Sequence, residues 1–420
     1  MTDRVVITGG GAIGPFGAGV GPLIEAVASG RTATERSGRA CAARLRDGVD
    51  AGPIRANVWR RLDHSSRMAV AAAREALEDA RLRPAAGFPE SEDEAAPALV
   101  LGTMSSGVET LRAFLATTFA EGPDGASPML FPFTVPNAPA SQCSILLGLR
   151  GPNLTISEME ASGLAAIATA AGLVRAGVCD VAVAGGADEW VAEYDRAWAR
   201  LRLTHRGDPA AFPGPFGRDR RGFVPGEGAY FVVVESLEGA ARRGALPWAE
   251  VAGEAMTHAP GPAHGWPAEP GAMAEAIGLA LSQARLRPEE IGYVAAAANG
   301  SRALDALEAR AIRHAFGRAS RRVPVTSVKG AVGESASSSA CAALVSALSV
   351  RDGSIPPVAG LTDPDPDLGL DLVIGAARPG PVPSVLVSAL GSGGSCAALV
   401  LSRVGSSPED RKSTRLNSSH

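Results

Sequence analysis

Short apolar runs that end in glycine or another small residue alternate with helical segments along the chain, and this alternation constrains the fold most. The clearest runs are residues 5–8, 98–102 and 180–184, which read VVIT, ALVLG and DVAVA. Continuous apolar runs of this length are typical of strands that are buried on both faces of a sheet. Strands that alternate with helices form α/β folds. The sequence therefore predicts an α/β protein with largely buried sheets.

The second half of the chain repeats this pattern, although no sharp sequence repeat is visible. An apolar run at residues 293–298 is followed by a helical segment at 303–315 and by a long small-residue helix at 334–350. A chain of 420 residues is long enough for two domains. Two halves built from strands and helices, residues 1–240 and 247–403, are therefore expected.

The last residues, 404–420, are expected to form a disordered tail. From Asp410 onward the sequence DRKSTRLNSSH has no apolar periodicity and differs in composition from the segment before it. It resembles translated sequencing adapter and not native protein, so it carries no weight in the fold prediction.

Charge, cysteine usage and helix length argue against several classes of function. The formal net charge is −4 and no basic block stands out, which argues against a nucleic-acid or anionic-membrane surface. The five cysteines are scattered without a CxxC pair, so neither a metal site nor a disulfide framework is predicted. The longest uncharged apolar helices, residues 162–174 and 336–350, are too short to span a bilayer. We expect a cytoplasmic protein in a reducing compartment.

The glycine run after the first strand matches the GxGxxG pattern of dinucleotide-binding folds. Residues 9–14 read GGGAIG. In such folds a helix begins directly after the run, and an acidic residue follows about twenty residues later at the end of a second strand. Pro15 follows the run at once, and Glu35, which lies at the right distance, has no strand before it. We therefore predict a tight turn between sheet and first helix, and no nicotinamide cofactor.

A charged, glycine-rich segment at residues 216–228, FGRDRRGFVPGEG, has the spacing of a loop folded inward against a site. With its continuation it resembles the signature segment of β-ketoacyl-acyl-carrier-protein synthases, the condensing enzymes of the thiolase superfamily. Five other segments resemble the same family in the same order: VVITGGGAIGPFG, VPNAPASQCSILLGLRGPNLTISEMEASG, DVAVAGGADE, VTSVKGAVGE and LVSALGSGGSCAALVLSR. The resemblance covers about residues 3–403.

The resemblance implies a duplicated thiolase-type fold with five layers, αβαβα, in which two sheets sandwich central helices. It also implies a dimer that associates through the strand near residues 153–157. This dimer is either a homodimer or a heterodimer with a second ketosynthase subunit. The expected substrate is an acyl chain tethered by phosphopantetheine to an acyl carrier protein, and no cofactor of the chain's own is implied.

The catalytic residues of the family are replaced in this chain. The family uses a cysteine nucleophile at a helix N-terminus and two histidines that bind the malonyl thioester. By resemblance, the position of the cysteine is taken by Glu160 and the positions of the histidines by Asn299 and Glu334. Lys329 remains from the family's polar set.

Two further groups are candidates for substrate contact. Gly391, Gly393 and Gly394 lie in the loop GSGGS. By resemblance this loop supplies backbone N–H groups to an oxyanion hole, together with the nucleophile turn. Phe131 and Phe133 either project toward the dimer seam, where they would limit the length of an acyl tunnel, or pack in the core.

Glu160, Lys329 and Glu334 are predicted to form a buried cluster that fills the former catalytic cavity. Two neighbouring carboxylates raise at least one pKa, whereas a lysine and a helix N-terminus lower it. Buried charges must pair or neutralise, and Lys329 is the available cation. Glu158, two residues before Glu160, is expected to face outward or toward a partner.

Two functions of different classes are compatible with these replacements. The first is a non-condensing subunit similar to the chain-length factors of aromatic polyketide and polyene systems, which lack the cysteine and pair with a complete ketosynthase. An inert cavity and the short segment after Asn299 favour it. The second is an enzyme that decarboxylates, hydrolyses or transfers a carrier-bound acyl group, with Glu160 or Glu334 as general acid or base. A thiol of Cys341 or Cys396 could also replace the nucleophile, although both are expected in the core.

Overall fold

The structure, a computed structural model, describes residues 4–405 except for residues 39, 47, 83–95 and 264. The predicted tail lies outside the described residues from position 406 onward. The strands are β1 (Val5–Gly14), β2 (Gly17–Ala18), β3 (Glu35–Ser37), β4 (Ala40–Ala42), β5 (Ala98–Gly102), β6 (Asn153–Ile156), β7 (Val181–Asp188), β8 (Gly228–Ser236), β9 (Ala249–His258), β10 (Tyr293–Ala295), β11 (Pro324–Thr326), β12 (Ser354–Ile355), β13 (Asp371–Leu372), β14 (Arg378–Pro379), β15 (Ser384–Leu390) and β16 (Ser395–Ser402). The helices are α1 (Val20–Ala28), α2 (Ala56–Trp59), α3 (His64–Asp79), α4 (Val108–Glu121), α5 (Ala138–Leu147), α6 (Ser162–Arg175), α7 (Ala192–Arg200), α8 (Leu237–Arg242), α9 (Gly271–Ala284), α10 (Arg302–Phe316), α11 (Lys329–Val332) and α12 (Ala336–Asp352).

One large mixed sheet runs through both halves of the chain. Its strand order is β13-β11-β10-β15-β16-β9-β1-β8-β7-β5-β6, with β2 paired to β1 as the twelfth strand. The two halves join where β1 pairs with β9, at Val6 opposite Glu250 and Ile7 opposite Ala249. The two sheets expected from the resemblance are therefore connected by hydrogen bonds into one.

Helices cover this sheet in the expected layers. Helices α6 and α12 pack on each other and on strands of both halves, so they form the central layer. Helices α3 and α5 cover the outer side of the first half, and α9 and α10 cover the outer side of the second. The side chains between the layers are mostly Ala, Val, Leu and Ile, which form the buried core. The strands of each half pack on α6 and α12 and carry their own outer helices, so the one continuous sheet supplies two layers. This arrangement confirms the α/β class and the five layers of the duplicated fold.

The glycine run at residues 9–14 lies inside strand β1, so the predicted turn at this position was wrong. Helix α3 packs so closely on the strand that side chains would not fit. A Cβ atom on Gly11 would lie 2.0 Å from the carbonyl oxygen of Ala72. The turn comes afterwards, at residues 15 and 16 between β1 and β2. The glycines therefore serve close packing of helix against strand and not phosphate binding.

Within the described part of the chain, no helix is both long enough and apolar enough to cross a membrane.

Candidate functional site

The turn between β6 and α6 buries Glu160 at the start of the central layer. A short 3₁₀ turn, Met159–Ala161, leads into α6, and Met159 adopts a left-handed backbone conformation with φ 51°. The side chain of Glu160 is only 3% exposed. The backbone N–H of Ser392 donates to its Oε2 atom at 2.7 Å, and the Ser392 hydroxyl donates to the same atom at 3.1 Å. The acid therefore binds directly to the glycine loop.

The glycines of this loop allow it to lie against the Glu160 turn. A Cβ atom on Gly391 would lie 2.3 Å from the carbonyl oxygen of Glu158, and one on Gly394 would lie 1.5 Å from that of Ala259. Gly393 and Gly394 also have positive φ angles, 92° and 112°, which L side chains rarely adopt. The close approach places the N–H of Ser392, between Gly391 and Gly393, at the carboxylate of Glu160.

Glu158 is exposed, as the predicted outward orientation requires, and it also contacts this loop. The hydroxyl of Ser395, at the end of the glycine loop, donates to the Glu158 carboxylate and also lies 3.4 Å from Nδ1 of His258. Both acids of the turn therefore bind serines of the same loop, one buried and one at the surface.

Lys329 and Glu334 form a buried ion pair beside this turn. The Nζ atom of Lys329 lies 2.8 Å from Oε1 and 3.0 Å from Oε2 of Glu334. The Asn299 side-chain amide donates to Oε2 at 2.6 Å. Desolvation raises the pKa of Glu334 to about 7, although Lys329 acts in the opposite direction; the charge of Glu160 raises this pKa further.

The predicted cluster is thus divided into two parts. Lys329, Glu334 and Asn299 bond to one another, while Glu160 binds the glycine loop and acts on Glu334 only through its charge. The reason is that the backbone N–H of the half-buried Ser392 needs an acceptor, and Glu160 supplies one. The positions replaced in sequence are therefore neighbours in space, but the lysine pairs with one carboxylate alone.

Asp305 on α10 is a site residue that the sequence interpretation missed. Its buried carboxylate accepts hydrogen bonds from the N–H groups of Asn299 and Gly300, at 3.0 and 3.2 Å, and from the N–H of Phe216 at 2.7 Å. Arg220 lies 3.2 Å away and partly offsets the desolvation that raises the pKa of Asp305 to about 6. Asp305 thereby fixes the backbone of the turn that carries Asn299.

Glu308, one helical turn further along, has a similar role. It accepts hydrogen bonds from the N–H groups of Ala297 and Ala298, at 2.8 and 2.7 Å, and from the Ser388 hydroxyl at 2.7 Å. Burial raises its pKa to about 7, and the charge of Lys329 lowers it. The sequence did contain a signal for Asp305 and Glu308: two acids three residues apart lie on the same face of a helix.

The two phenylalanines have different environments. Phe133 is buried among residues of α3 and α5 in the outer core of the first half. Phe131 is 63% exposed, with its ring centroid 5.9 Å from that of Phe114. Phe133 therefore packs in the core, and Phe131 lies at the surface.

The two candidate thiols lie in the core. Cys341 is inside α12 and Cys396 is on β16, and both are buried. Desolvation raises the pKa of Cys341 strongly and that of Cys396 to about 11, which keeps both thiols protonated. Neither is placed to act as a nucleophile.

An apolar face extends from α4 to the edge strand β6. Helix α4 has no buried residue; it packs on the turn at Phe131–Phe133, which packs on α5, which packs on β6. The exposed apolar side chains of this face are Leu111, Leu115, Phe119, Phe131, Ile145 and Leu154. Strand β6 is last in the sheet, and among described strands it pairs only with β5. We call this surface the α4–β6 face.

Comparison with known proteins agrees with this geometry. The family model of the β-ketoacyl synthase N-terminal domain matches residues 2–240, and that of the C-terminal domain matches residues 248–362. The chain belongs to the β-ketoacyl synthase family. The resemblance that the sequence motifs indicated is therefore confirmed.

Relatives of this family match almost the whole chain. The tetracenomycin polyketide synthase ketoacyl synthase alpha subunit of Streptomyces glaucescens is 34% identical, over 95% of this chain and 97% of that protein. The 3-oxoacyl-[acyl-carrier-protein] synthase 2 of Rhizobium meliloti is 33% identical, over 95% and 99%. Among solved structures, the ishigamide ketosynthase/chain length factor has a TM-score of 0.84 at 27% identity, covering 96% of this chain and 99% of that one. A β-ketoacyl synthase from Burkholderia phymatum has a TM-score of 0.87 at 28% identity, covering 96% and 100%.

Proposed function

We propose that this chain is a non-condensing subunit that pairs with a complete ketosynthase in polyketide or fatty-acid synthesis. The single observation that carries the proposal is the hydrogen bond from the Ser392 N–H to the Glu160 carboxylate at the nucleophile position. The acyl chain would reach the pair on the phosphopantetheine arm of an acyl carrier protein, with no further cofactor on this chain.

The arrangement of the polar groups argues against condensation on this chain. Acyl transfer to a ketosynthase needs a thiolate, and a carboxylate whose Oε2 atom accepts two hydrogen bonds is a poor substitute. Asn299 can donate a hydrogen bond but cannot exchange a proton as imidazole does. Glu334 forms an ion pair with Lys329 and, when ionised, would repel a malonyl carboxylate. Each replaced group is thus engaged by a neighbour and not open to a substrate.

The surface of the chain supports pairing with a partner. A helix without buried residues and an edge strand with free backbone groups are a ready template for a second chain. The α4–β6 face combines such a helix with an edge strand, and β6 lies in the segment through which the resemblance expects dimers to associate. The similarity to a protein described as a ketosynthase/chain length factor adds support.

Reconstitution tests the proposal. The chain is co-expressed with a ketosynthase that retains the cysteine and both histidines and is encoded by an adjacent gene. We expect the two to co-purify in equal amounts and the product to require both. The Glu160→Ala variant serves as the control and should still support synthesis, because the carboxylate is not a nucleophile. A ketosynthase that gives the same product at the same rate without this chain would contradict the proposal.

A second candidate function is acid or base catalysis on a carrier-bound substrate. The observation that favours it is the raised pKa of Glu334, about 7, which lies near the optimum for proton transfer. The test incubates the purified chain with malonyl-acyl carrier protein and follows carbon dioxide and free acid. Turnover that Glu334→Gln or Glu160→Ala abolishes would favour this function over the inert subunit.

A further inference from the structure

Helix α4, which carries much of the α4–β6 face, packs weakly on the rest of the chain. None of its residues is buried. Two of its contacts lie near the surface: Arg112 is 3.9 Å from Glu193, and the ring centroid of Phe114 lies 5.9 Å from that of Phe131. An exposed ion pair contributes little to stability, because water screens it. The position of this helix therefore depends on how its first turn is attached.

Two consecutive acids at the end of β7 attach that first turn. The buried carboxylate of Asp188 accepts hydrogen bonds from the N–H groups of Met104 and Ser105, at 2.9 and 3.0 Å. The carboxylate of Glu189, which is 4% exposed, accepts one at 3.1 Å from the N–H of Glu109, the second residue of α4. Asp188 thus fixes the loop before the helix, and Glu189 binds the helix itself.

Charged groups from three elements surround Glu189: the start of α3, the first turns of α4 and the segment before β8. They are Asp63, His64, Glu109 and, through ion pairs with two of these, Arg112 and Glu227. Burial has the largest effect on the pKa of Glu189 and raises it to about 7. The N–H of Glu109 and the charge of His64 lower this pKa, whereas the charges of Asp63 and Glu109 raise it. The net effect of the surroundings therefore favours the neutral carboxyl group while α4 is in place.

Proton binding at Glu189 and the attachment of α4 favour each other. If α4 moved away, the carboxylate would lose a neighbour at 3.1 Å and become hydrated, so its pKa would return toward the ordinary 4.5. The attached arrangement, with its raised pKa, binds the proton more tightly. The contribution of this proton to the attachment is therefore complete below pH 4.5 and is lost as the pH rises through about 7.

We propose that Glu189 is a positioning residue for the α4–β6 face, and that proton binding at its carboxylate controls how firmly α4 is held on the chain. The inference rests on the proposed function, in which this face pairs with a ketosynthase. A loosened α4 would have to be ordered when the partner binds, and that ordering costs affinity. The complex should therefore be tighter at pH 6 than at pH 8.

Hydrogen exchange of the full chain without a partner tests the attachment directly. The protection of the α4 amides, corrected for the intrinsic exchange rate, should fall about tenfold between pH 6 and pH 8. This is the ratio expected for a carboxyl group whose pKa is about 7 with α4 in place and 4.5 without it. Equal protection of α4 at the two pH values overturns the proposal.

Variants assign the effect to Glu189, since His64 titrates in the same pH range. Glu189→Gln keeps an acceptor for the N–H of Glu109 but cannot ionise, so α4 should be as protected at pH 8 as at pH 6. Glu189→Ala removes the acceptor and should lower the protection at both pH values. Glu121→Gln, at the exposed far end of α4, is the matched control and should keep the pH dependence of the parent. A Glu189→Gln variant that keeps this dependence overturns the proposal.

Pairing is measured separately. The dissociation constant of the complex with the ketosynthase should rise between pH 6 and pH 8 for the parent chain more than for Glu189→Gln, and this comparison removes any pH dependence of the ketosynthase itself. The same rise for both chains overturns the control of pairing by this residue. A chain that does not pair, but whose α4 responds to pH through Glu189, refutes the proposed function and leaves the positioning role of Glu189 standing.

Discussion

Removal of the Lys329 charge should lower the free energy of unfolding, because it breaks a buried ion pair with Glu334. In Lys329→Met the side chain keeps most of its volume, but both oxygens of Glu334 lose a cation at 2.8 and 3.0 Å. Breaking a buried ion pair by removing one partner costs about 3–5 kcal/mol. With an unfolding entropy of roughly 0.9 kcal/mol per kelvin for 420 residues, the melting temperature should fall by about 3–6 °C.

The size of this effect should depend on pH. Burial raises the pKa of Glu334 from 4.5 in the unfolded chain to about 7 in the folded one. The folded state therefore binds this proton more tightly, so its stabilising contribution is complete below pH 4.5 and is lost as pH rises through about 7. Without Lys329 the pKa rises further, because the lysine charge lowers it. The loss of stability in Lys329→Met should therefore be larger at pH 8 than at pH 6.

Differential scanning fluorimetry at both pH values measures the shift. The matched control is Lys329→Met combined with Glu334→Gln, which removes both charges and should recover most of the lost stability. A single variant whose melting temperature stays within 1 °C of the parent at pH 8 would refute the reasoning. A double variant as unstable as the single one would refute it as well.

Three further predictions concern other parts of the structure. Gly394→Ala should prevent correct folding of the loop, because its Cβ atom would overlap the carbonyl of Ala259 at 1.5 Å; loss of soluble protein measures this. His64→Gln should weaken the dependence of the melting temperature on pH between pH 6 and 8. The hydrogen bond to Glu227 raises the pKa of His64 above 6.5 in the folded chain. The contribution of His64 to folding stability is therefore complete below pH 6.5 and is lost as the pH rises through the raised pKa. Phe119→Asp, at a side chain 83% exposed, should abolish pairing with the ketosynthase without lowering the melting temperature, whereas Leu246→Asp, at one 82% exposed, should leave pairing intact; gel filtration of the mixed chains distinguishes the outcomes.

Local patterns in the sequence predicted strands and helices better than they predicted the partners of the site residues. Strand β5 has the predicted bounds because its apolar run is complete and ends at Gly102. The glycines of β1 were misassigned, since glycine is used both in turns and where a helix packs closely on a strand. Only the position of α3, sixty residues later, distinguishes these uses.

The contacts of the candidate site depend on long-range packing. Motif order placed Glu160, Asn299 and Glu334 at the replaced catalytic positions, and the structure brings Asn299 and Glu334 into direct contact. The partner of Glu160 is Ser392, which lies 232 residues away and has no local signal as a hydrogen-bond donor. Backbone donors are identical at every residue except proline, so a sequence pattern cannot show which of them meets a carboxylate.

The hydrogen bond from the glycine loop to Glu160 makes this carboxylate compete with any ligand that would accept a hydrogen bond from the Ser392 N–H. A group that the same chain holds next to its site acts at an effective concentration on the order of millimolar or higher. If the loop forms the oxyanion hole that the resemblance implies, an acyl carbonyl oxygen would have to displace this carboxylate from the Ser392 N–H before the loop could polarise that carbonyl. Glu160→Cys would therefore do two things at once: it would add a thiol and free the Ser392 N–H from its present acceptor. Asn299 and Glu334 would still be bonded to each other, so occupancy of the pocket and catalysis of condensation can be separated by experiment.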